Sequence, residues 1–102
     1  MKELSYDEIK QWISSDVGEF ILFGYTPICG TCKLALEMLR VVEMMKPNLV
    51  IATCNLNAMP KLAQDLQMMS VPYLAIYKQG VKKDEIYAFQ SVPYLLERLN
   101  QN

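Results

Sequence analysis

The sequence contains no histidine and only three cysteines, and its charges nearly cancel to a net −1. The small net charge provides no basic surface of the kind that binds nucleic acid. No apolar run reaches the ~18 residues that a membrane span needs, so no membrane attachment is expected. Zinc normally takes four ligands. Three cysteines and no histidine are too few, so we predict no metal site. A cluster shared between two subunits is the alternative that stays open.

The first residues, Met1 to Glu8, also lack the apolar segment of a secretory signal peptide. An odd number of cysteines is unusual in secreted disulfide scaffolds. We therefore expect a cytoplasmic protein in a reducing compartment, where paired cysteines are more often catalytic or metal-binding than structural. The length of 102 residues and the 52% hydrophobic content predict one compact domain over 1–102.

Apolar runs and helical repeats alternate along the chain. The runs predict buried strands at 20–23, 49–54 and 73–77, and a more polar strand at 84–89. The repeats predict helices after a capping box at Ser5, over 31–45, over about 57–67 with Asn57 as cap, and after Ser91. This order predicts right-handed crossovers, parallel strands and a closing hairpin. The expected α/β fold is a three-layer α/β/α sandwich, with a mixed sheet of about four strands flanked by four helices.

The second predicted helix is expected to turn one apolar side toward the sheet. Its expected inward residues are Leu34, Met38, Val41, Val42 and Met45.

Two of the cysteines, Cys29 and Cys32, lie where a buried strand ends and a helix begins. Unpaired N–H groups and the helix dipole favour a thiolate there, so Cys29 is the predicted nucleophile. Cys32 is the predicted resolving thiol, half-buried on the helix, that attacks the mixed disulfide. Gly30 is expected to let the chain pass tightly between them. Cys54 is interpreted as a buried small hydrophobe, with a regulatory or intermolecular thiol as the alternative.

Two segments resemble the thioredoxin family, and the resemblance covers the chain from about residue 5 onward. Residues 25–33, Tyr-Thr-Pro-Ile-Cys-Gly-Thr-Cys-Lys, are similar to the active-site segment of that family. Residues 70–80, which begin Ser-Val-Pro-Tyr, are similar to its cis-proline segment. The resemblance implies a thioredoxin-like fold in which the first strand of the family is short or absent.

The resemblance also implies an activity, partners and site residues. The activity is thiol–disulfide oxidoreduction, in which protein or small-molecule disulfides are reduced with no bound cofactor beyond a reversible Cys29–Cys32 disulfide. A flavoprotein that uses NADPH, such as a thioredoxin reductase, would restore the dithiol of a monomeric protein. The implied substrate-binding residues are Ile28, Gly30, Thr31, Val71, Pro72 and Tyr73. The implied supporting residues are Tyr25, Pro27 and Lys33.

Several positions depart from the family pattern. Phe23 stands where thioredoxins typically carry a buried acid, and Thr53 stands where a basic partner is often found. Thr31 replaces the usual proline between the cysteines, and the flanking tryptophans are absent. These departures predict slower proton transfer at Cys32 and a less reducing dithiol. They also leave two alternatives open: a non-catalytic thioredoxin-like binding module, and a more oxidising disulfide oxidase or isomerase.

Overall fold

The computed structural model describes residues 1–15 and 18–102. Its strands are β1 (Lys2–Glu3), β2 (Glu19–Tyr25), β3 (Ile51–Asn55), β4 (Tyr73–Lys78) and β5 (Val81–Ile86). Its helices are α1 (Tyr6–Ser14), α2 (Gly30–Met45), α3 (Pro60–Asp65) and α4 (Val92–Gln101). The strands form one sheet in the order β1-β3-β2-β4-β5. Strands β1, β3 and β2 are parallel, whereas β4 and β5 run antiparallel to their neighbours.

The predicted mixed sheet with helices on both faces is confirmed. Side chains of a strand alternate between the two faces, so each strand feeds two separate cores. Ile21 and Phe23 pack with buried residues of α2 and α4 on one face. Phe20 and Leu22 pack with residues of α1 and α3 on the other. The result is the three-layer α/β/α sandwich with four helices.

Within residues 1–15 and 18–102, the sheet has five strands rather than about four, because the short first strand is present. Lys2 and Glu3 of β1 are in register with Ala52 and Thr53 of β3. The Leu4 amide also donates to the Thr53 carbonyl at 2.9 Å. A two-residue strand has no apolar alternation to detect, so its sequence pattern carries no signal.

The caps of the first and last helices are confirmed. The Ser5 side chain and the Glu8 carboxylate bond to each other's backbone amides in a capping box, and Ser91 accepts from the Tyr94 amide. The predicted cap at Asn57 is wrong, since α3 begins only at Pro60. The Asn57 amide instead donates to the Asn55 side chain at 3.0 Å, which forms a turn before the helix.

The predicted inward side of α2 is also wrong in part. The helix buries Cys32, Ala35, Leu39 and Val42 against the sheet. Of the five residues expected inside, Leu34, Val41 and Met45 are exposed. The helix carries two apolar stripes with the same helical spacing, and one is shifted by about one residue from the other. Periodicity alone does not show which stripe faces the sheet.

The last predicted strand begins earlier than its apolar content indicates. Strand β5 runs over Val81–Ile86 and not over 84–89. Its first three residues are exposed at the sheet edge, so charged Lys82 and Lys83 are tolerated there. In the described ranges, no helix combines the length and the apolar character needed to cross a bilayer.

Candidate active site

The cysteine pair lies in the connection between the end of β2 and the start of α2. Cys29 is the N-cap residue of α2, and Cys32 lies in the first turn of that helix. The two cysteines are joined as a disulfide, with their Cα atoms 5.2 Å apart. Cys29 is half-buried, whereas Cys32 is only 3% exposed. An incoming group therefore reaches the sulfur of Cys29 before that of Cys32.

Two hydrogen-bond donors point at the Cys29 sulfur. The Cys32 amide donates to Cys29 Sγ at 3.1 Å. The Thr31 Oγ1 atom lies 3.2 Å from the same sulfur, and because a disulfide sulfur carries no hydrogen, the Thr31 hydroxyl is the donor. When the disulfide is opened, the same donors and the N-terminus of α2 favour negative charge on Cys29. The geometry suits a sulfur that alternates between thiolate and disulfide.

No steric contact requires glycine at position 30. Gly30 is the first residue of α2, and a Cβ atom added there would meet nothing within 4 Å. Its φ angle is not in the left-handed region that favours glycine. The expectation that glycine is needed for a tight passage between the cysteines is therefore wrong.

The second segment of the site lies before β4. The peptide bond between Val71 and Pro72 is cis. In the described part of the chain, no main-chain hydrogen bond outside the helices and strands uses Val71. Pro72 lines a shallow cavity of about 280 Å³ together with Thr31, so the structure brings the two segments together. Leu34, Met38 and Phe89 also line this cavity and make it largely apolar.

The structure does not bring the Tyr73 side chain to this surface. Tyr73 is fully buried, and its ring packs edge-on against Tyr87 on the side of the sheet away from α2. Its hydroxyl donates to Glu85 at 2.7 Å. Burial, and secondarily this bond, raises the pKa of Tyr73. The Tyr73 side chain therefore points into the core and away from the cysteines, because position in the sheet decides which way it points.

The remaining predicted residues surround the cysteines in different ways. Ile28 is 91% exposed and directly precedes Cys29. Pro27 and Lys33 are exposed on their outer sides and line a second cavity of about 400 Å³ with Cys32. Tyr25 lines the same cavity, and its ring stacks on Phe23 at a centroid distance of 5.8 Å. All three predicted supporting residues thus line the cavity that reaches Cys32.

The second cavity is lined by one residue, Glu3, that the sequence patterns did not single out. Glu3 lines it beside Thr53 and Phe23, and the Tyr25 hydroxyl donates to the Glu3 carboxylate. Burial, with the bond to Glu3 as the second cause, raises the pKa of Tyr25 to about 12. Glu3 lies in the strand that the pattern did not predict, so no motif linked it to the cysteines.

Cys54 lies apart from the redox pair. It is fully buried in β3 and packs with the core on the α1 and α3 side. Burial raises the pKa of the Cys54 thiol to about 12, so the thiol stays protonated at neutral pH. This placement supports the small-hydrophobe interpretation and leaves no accessible sulfur for a regulatory role. Within the two described ranges, no group of three or more potential ligand residues is arranged to hold a metal ion.

In sequence, this chain is similar to proteins of the thioredoxin family. The thioredoxin family model matches residues 1–100. The thioredoxin-like protein YusE of Bacillus subtilis is 43% identical over 101 residues, covering 99% of this chain and 92% of that protein. A thioredoxin of Chlamydia caviae is 22% identical over 102 residues, covering 100% of this chain and 98% of the other.

Solved structures share the fold at low sequence identity. The oxidised mitochondrial thioredoxin 3 of Saccharomyces cerevisiae has a TM-score of 0.84 and 19% identity, covering 100% of this chain and 95% of that one. The oxidised thioredoxin of Plasmodium falciparum has a TM-score of 0.83 and 17% identity, covering 99% and 96%. With the family match over nearly the whole length and its paired cysteines at a helix start, this chain is a thiol–disulfide oxidoreductase of the thioredoxin family.

Proposed function

We propose that the protein reduces disulfides in protein substrates, with Cys29 as the attacking thiol and Cys32 as the resolving thiol. The observation that carries this proposal is the environment of Cys29. Its sulfur caps α2, accepts from the Cys32 amide and lies next to the Thr31 hydroxyl, and the residue is only half-buried. Those features favour a reactive thiolate on the more accessible of two linked sulfurs.

The reaction proceeds through two exchanges. The Cys29 thiolate attacks one sulfur of the substrate disulfide, so a Cys29–substrate bond forms and the other substrate sulfur leaves as a thiolate. The Cys32 thiolate then attacks Cys29, the Cys29–Cys32 disulfide forms, and the second substrate sulfur leaves. The substrate gains two electrons and, from solvent, two protons. The protein loses the same two electrons.

The surface around Cys29 supports binding of an extended, apolar segment. The exposed Ile28 immediately precedes Cys29, and the cavity lined by Thr31 and Pro72 lies next to the start of α2. The unused N–H and carbonyl of Val71 offer main-chain hydrogen bonds of the kind formed in strand addition. In this proposal, Gly30 contributes only its backbone at the helix start.

Turnover needs a source of electrons. We infer that no cofactor is bound and that an NADPH-dependent flavoprotein reductase, or another dithiol, restores the Cys29–Cys32 pair. The proposal places the protein in the cytoplasm as a monomer, where a reducing pool keeps the dithiol available.

Reduction of insulin by dithiothreitol, followed by turbidity, tests the proposed activity. The wild-type protein should shorten the lag, and Cys29→Ser and Cys32→Ser should each return it to the uncatalysed time. Cys54→Ala serves as the control, since Cys54 lies outside the site, and should retain the activity. Equal rates for wild type and Cys29→Ser would refute the assignment.

A pull-down tests the alternative of a non-catalytic binding module. Partners that stay bound to a column carrying the variant with both cysteines replaced would favour that alternative.

One observation favours the second candidate, a more oxidising protein. The Thr31 hydroxyl stabilises the Cys29 thiolate, and stabilising the reduced form raises the reduction potential of a dithiol. Equilibration of the Cys29–Cys32 pair with glutathione separates the two roles. A potential near those of disulfide-forming proteins, about −120 mV, indicates an oxidase, whereas one near about −270 mV indicates a reductase.

A further inference from the structure

We propose that Glu3 accepts the proton of Cys32 across the cavity beneath the active site, so that Cys32 becomes the thiolate that resolves the mixed disulfide. This inference rests on the proposed function, because it concerns the second exchange. Glu3 does not touch the Cys32 sulfur. It acts through water, and we therefore class it as a positioning residue that directs the proton away from Cys32.

The buried cysteine needs such a group. Cys32 is only 3% exposed, and a thiol that is shielded from solvent gives up its proton with difficulty. The strand residue facing it, Phe23, has no group that accepts a proton. Thr53, the neighbour of Phe23 in the sheet, offers only a hydroxyl. The proton must therefore leave Cys32 by another route.

The sheet itself brings Glu3 into position. Phe23 of β2 is in register with Thr53 of β3, and Thr53 is in register with Glu3 of β1. Residues in register on neighbouring strands point to the same face of a sheet, so these three form one row on the side covered by α2. The carboxylate at the end of this row reaches the same cavity as Cys32.

The cavity has room for water and one suitable acceptor. Its volume of about 400 Å³ exceeds what a single water molecule needs. Among the described residues that line it, the charged side chains are Glu3, Lys33 and Arg40, joined by the Met1 amino group. The three cationic groups cannot accept a proton while charged. Only the Glu3 carboxylate combines negative charge with access to this space.

Other groups near the acceptor fix it or are unsuitable. The Tyr25 hydroxyl donates to the Glu3 carboxylate and holds it at the cavity wall. That hydroxyl cannot replace Glu3 as the base at neutral pH, because its pKa is raised to about 12. The Met1 amino group pairs with Glu43, whose side chain is not among those that line the cavity.

In the proposed step, the proton of Cys32 moves to Glu3 while the disulfide bonds exchange. The Cys32 proton passes to water, and a proton from that water passes to the Glu3 carboxylate. The Cys32 thiolate then forms the bond to Cys29 and breaks the bond between Cys29 and the substrate sulfur. The departing substrate thiolate takes a proton from solvent, and Glu3 returns its own proton to solvent.

An aromatic disulfide separates the two exchanges in one experiment. Reaction of the reduced protein with 5,5′-dithiobis(2-nitrobenzoate) releases one coloured thiolate when Cys29 attacks, and a second when Cys32 resolves. In Glu3→Gln the first release should keep its rate. The second should slow by about tenfold at pH 7, which is below the usual range of proton-transfer effects because water substitutes in part.

The pH dependence identifies a proton-transfer role. Above about pH 10, where hydroxide removes the Cys32 proton directly, the second release should become equal in Glu3→Gln and wild type. Glu3→Asp should recover part of the rate at pH 7. The matched control is Glu19→Gln, which removes the same charge from an exposed residue at the opposite end of β2 and should leave both releases unchanged.

Each outcome decides the proposal. A second release that is unchanged in Glu3→Gln, or that stays slow at high pH, overturns the proton-transfer role. Equal slowing of both releases also overturns it, since that result indicates a general field effect. Absence of any Cys29-dependent first release in the wild type overturns the proposed function itself, and the inference with it.

Discussion

At the scale of single residues, the feature that sets this site apart is the hydroxyl of Thr31. It lies 3.2 Å from Cys29 Sγ, so the hydrogen bond is made to the sulfur that we propose as the attacking one. A proline at that position would offer no such donor. The identity of one residue between the cysteines therefore influences how readily the thiolate forms.

We expect Thr31→Val to make Cys29 harder to ionise, because valine keeps the shape but removes the donor. A hydrogen bond to a charged group contributes about 1.5 kcal/mol or somewhat less for sulfur, so the midpoint of the pH profile should rise by about 1. The measurement is the rate of Cys29 alkylation by iodoacetamide as a function of pH. Thr26→Val, which removes a hydroxyl from the preceding turn, is the control and should leave the midpoint in place.

The glycines Gly30 and Gly80 should respond oppositely to alanine. An alanine at 30 meets nothing within 4 Å and improves the helix, so Gly30→Ala should leave activity intact and raise the free energy of unfolding by up to about 0.5 kcal/mol. Gly80 has φ +80°, and a Cβ there would lie 2.8 Å from the Ile13 carbonyl oxygen. Gly80→Ala should lower the free energy of unfolding by about 1–3 kcal/mol or more.

Urea unfolding of both variants checks this pair of predictions. Destabilisation by Gly30→Ala would show that the start of α2 is more constrained than its surroundings indicate. Neutrality of Gly80→Ala would show that the hairpin between β4 and β5 adjusts to the added carbon.

At the scale of elements, α4 is attached to β5 by a partly buried ionic contact. The Arg98 guanidinium donates to both carboxylate oxygens of Asp84, and the Asn102 side chain donates to the same carboxylate at 3.0 Å. The bond from Arg98 is the main cause that holds the pKa of Asp84 below its usual range. The last helix is therefore held to the sheet by charge as well as by its buried leucines.

The stability provided by Asp84 should depend on pH. A carboxylate with a lowered pKa in the folded state stabilises the protein fully above its unfolded pKa of about 3.9, and that contribution is lost as pH falls through the folded value. Asp84→Asn should lower the free energy of unfolding at pH 7 by about 1–3 kcal/mol. The difference from wild type, measured by urea unfolding, should shrink below about pH 4. A difference that is constant down to pH 2 would contradict the ionic role.

The helices also show which parts of an element a pattern can predict. Helix α2 was predictable in place and length, because its apolar repeat is long and starts at the cysteines. Its buried face was not, because Leu34 and Val41 form a second apolar stripe beside Ala35 and Leu39. Only packing against the sheet decides which stripe is covered.

At the scale of the whole molecule, alternating strands and helices were enough to predict the layers and most of the topology. The strand runs at 20–23 and 73–77 are continuous and apolar because both of their faces are covered. Strand β1 escaped prediction, since two residues carry no period and the pairing with β3 spans some fifty positions of sequence. Long-range pairing of so short a segment is a product of the assembled fold.

The residues of the site also differ in whether the sequence could predict them. Cys29 and Cys32 lie close in sequence and were predictable from local chemistry. The placement of Glu3 beside the Cys32 cavity and of the Tyr73 side chain in the core was not predictable, because it depends on sheet register and on which face a strand residue takes. Contacts within one turn of helix are readable from sequence, whereas contacts across three strands require the structure.

The proposal that Cys29 is the attacking thiol is tested by identifying the sulfur that first bonds to a substrate. Cys32→Ser, reacted with a disulfide-bonded peptide and analysed by mass spectrometry after digestion, should carry one peptide on Cys29. Cys29→Ser should carry none under the same conditions. An adduct on Cys32 of Cys29→Ser at a comparable rate, or a modified Cys54 in either variant, would contradict the account of Cys29 as the attacking thiol.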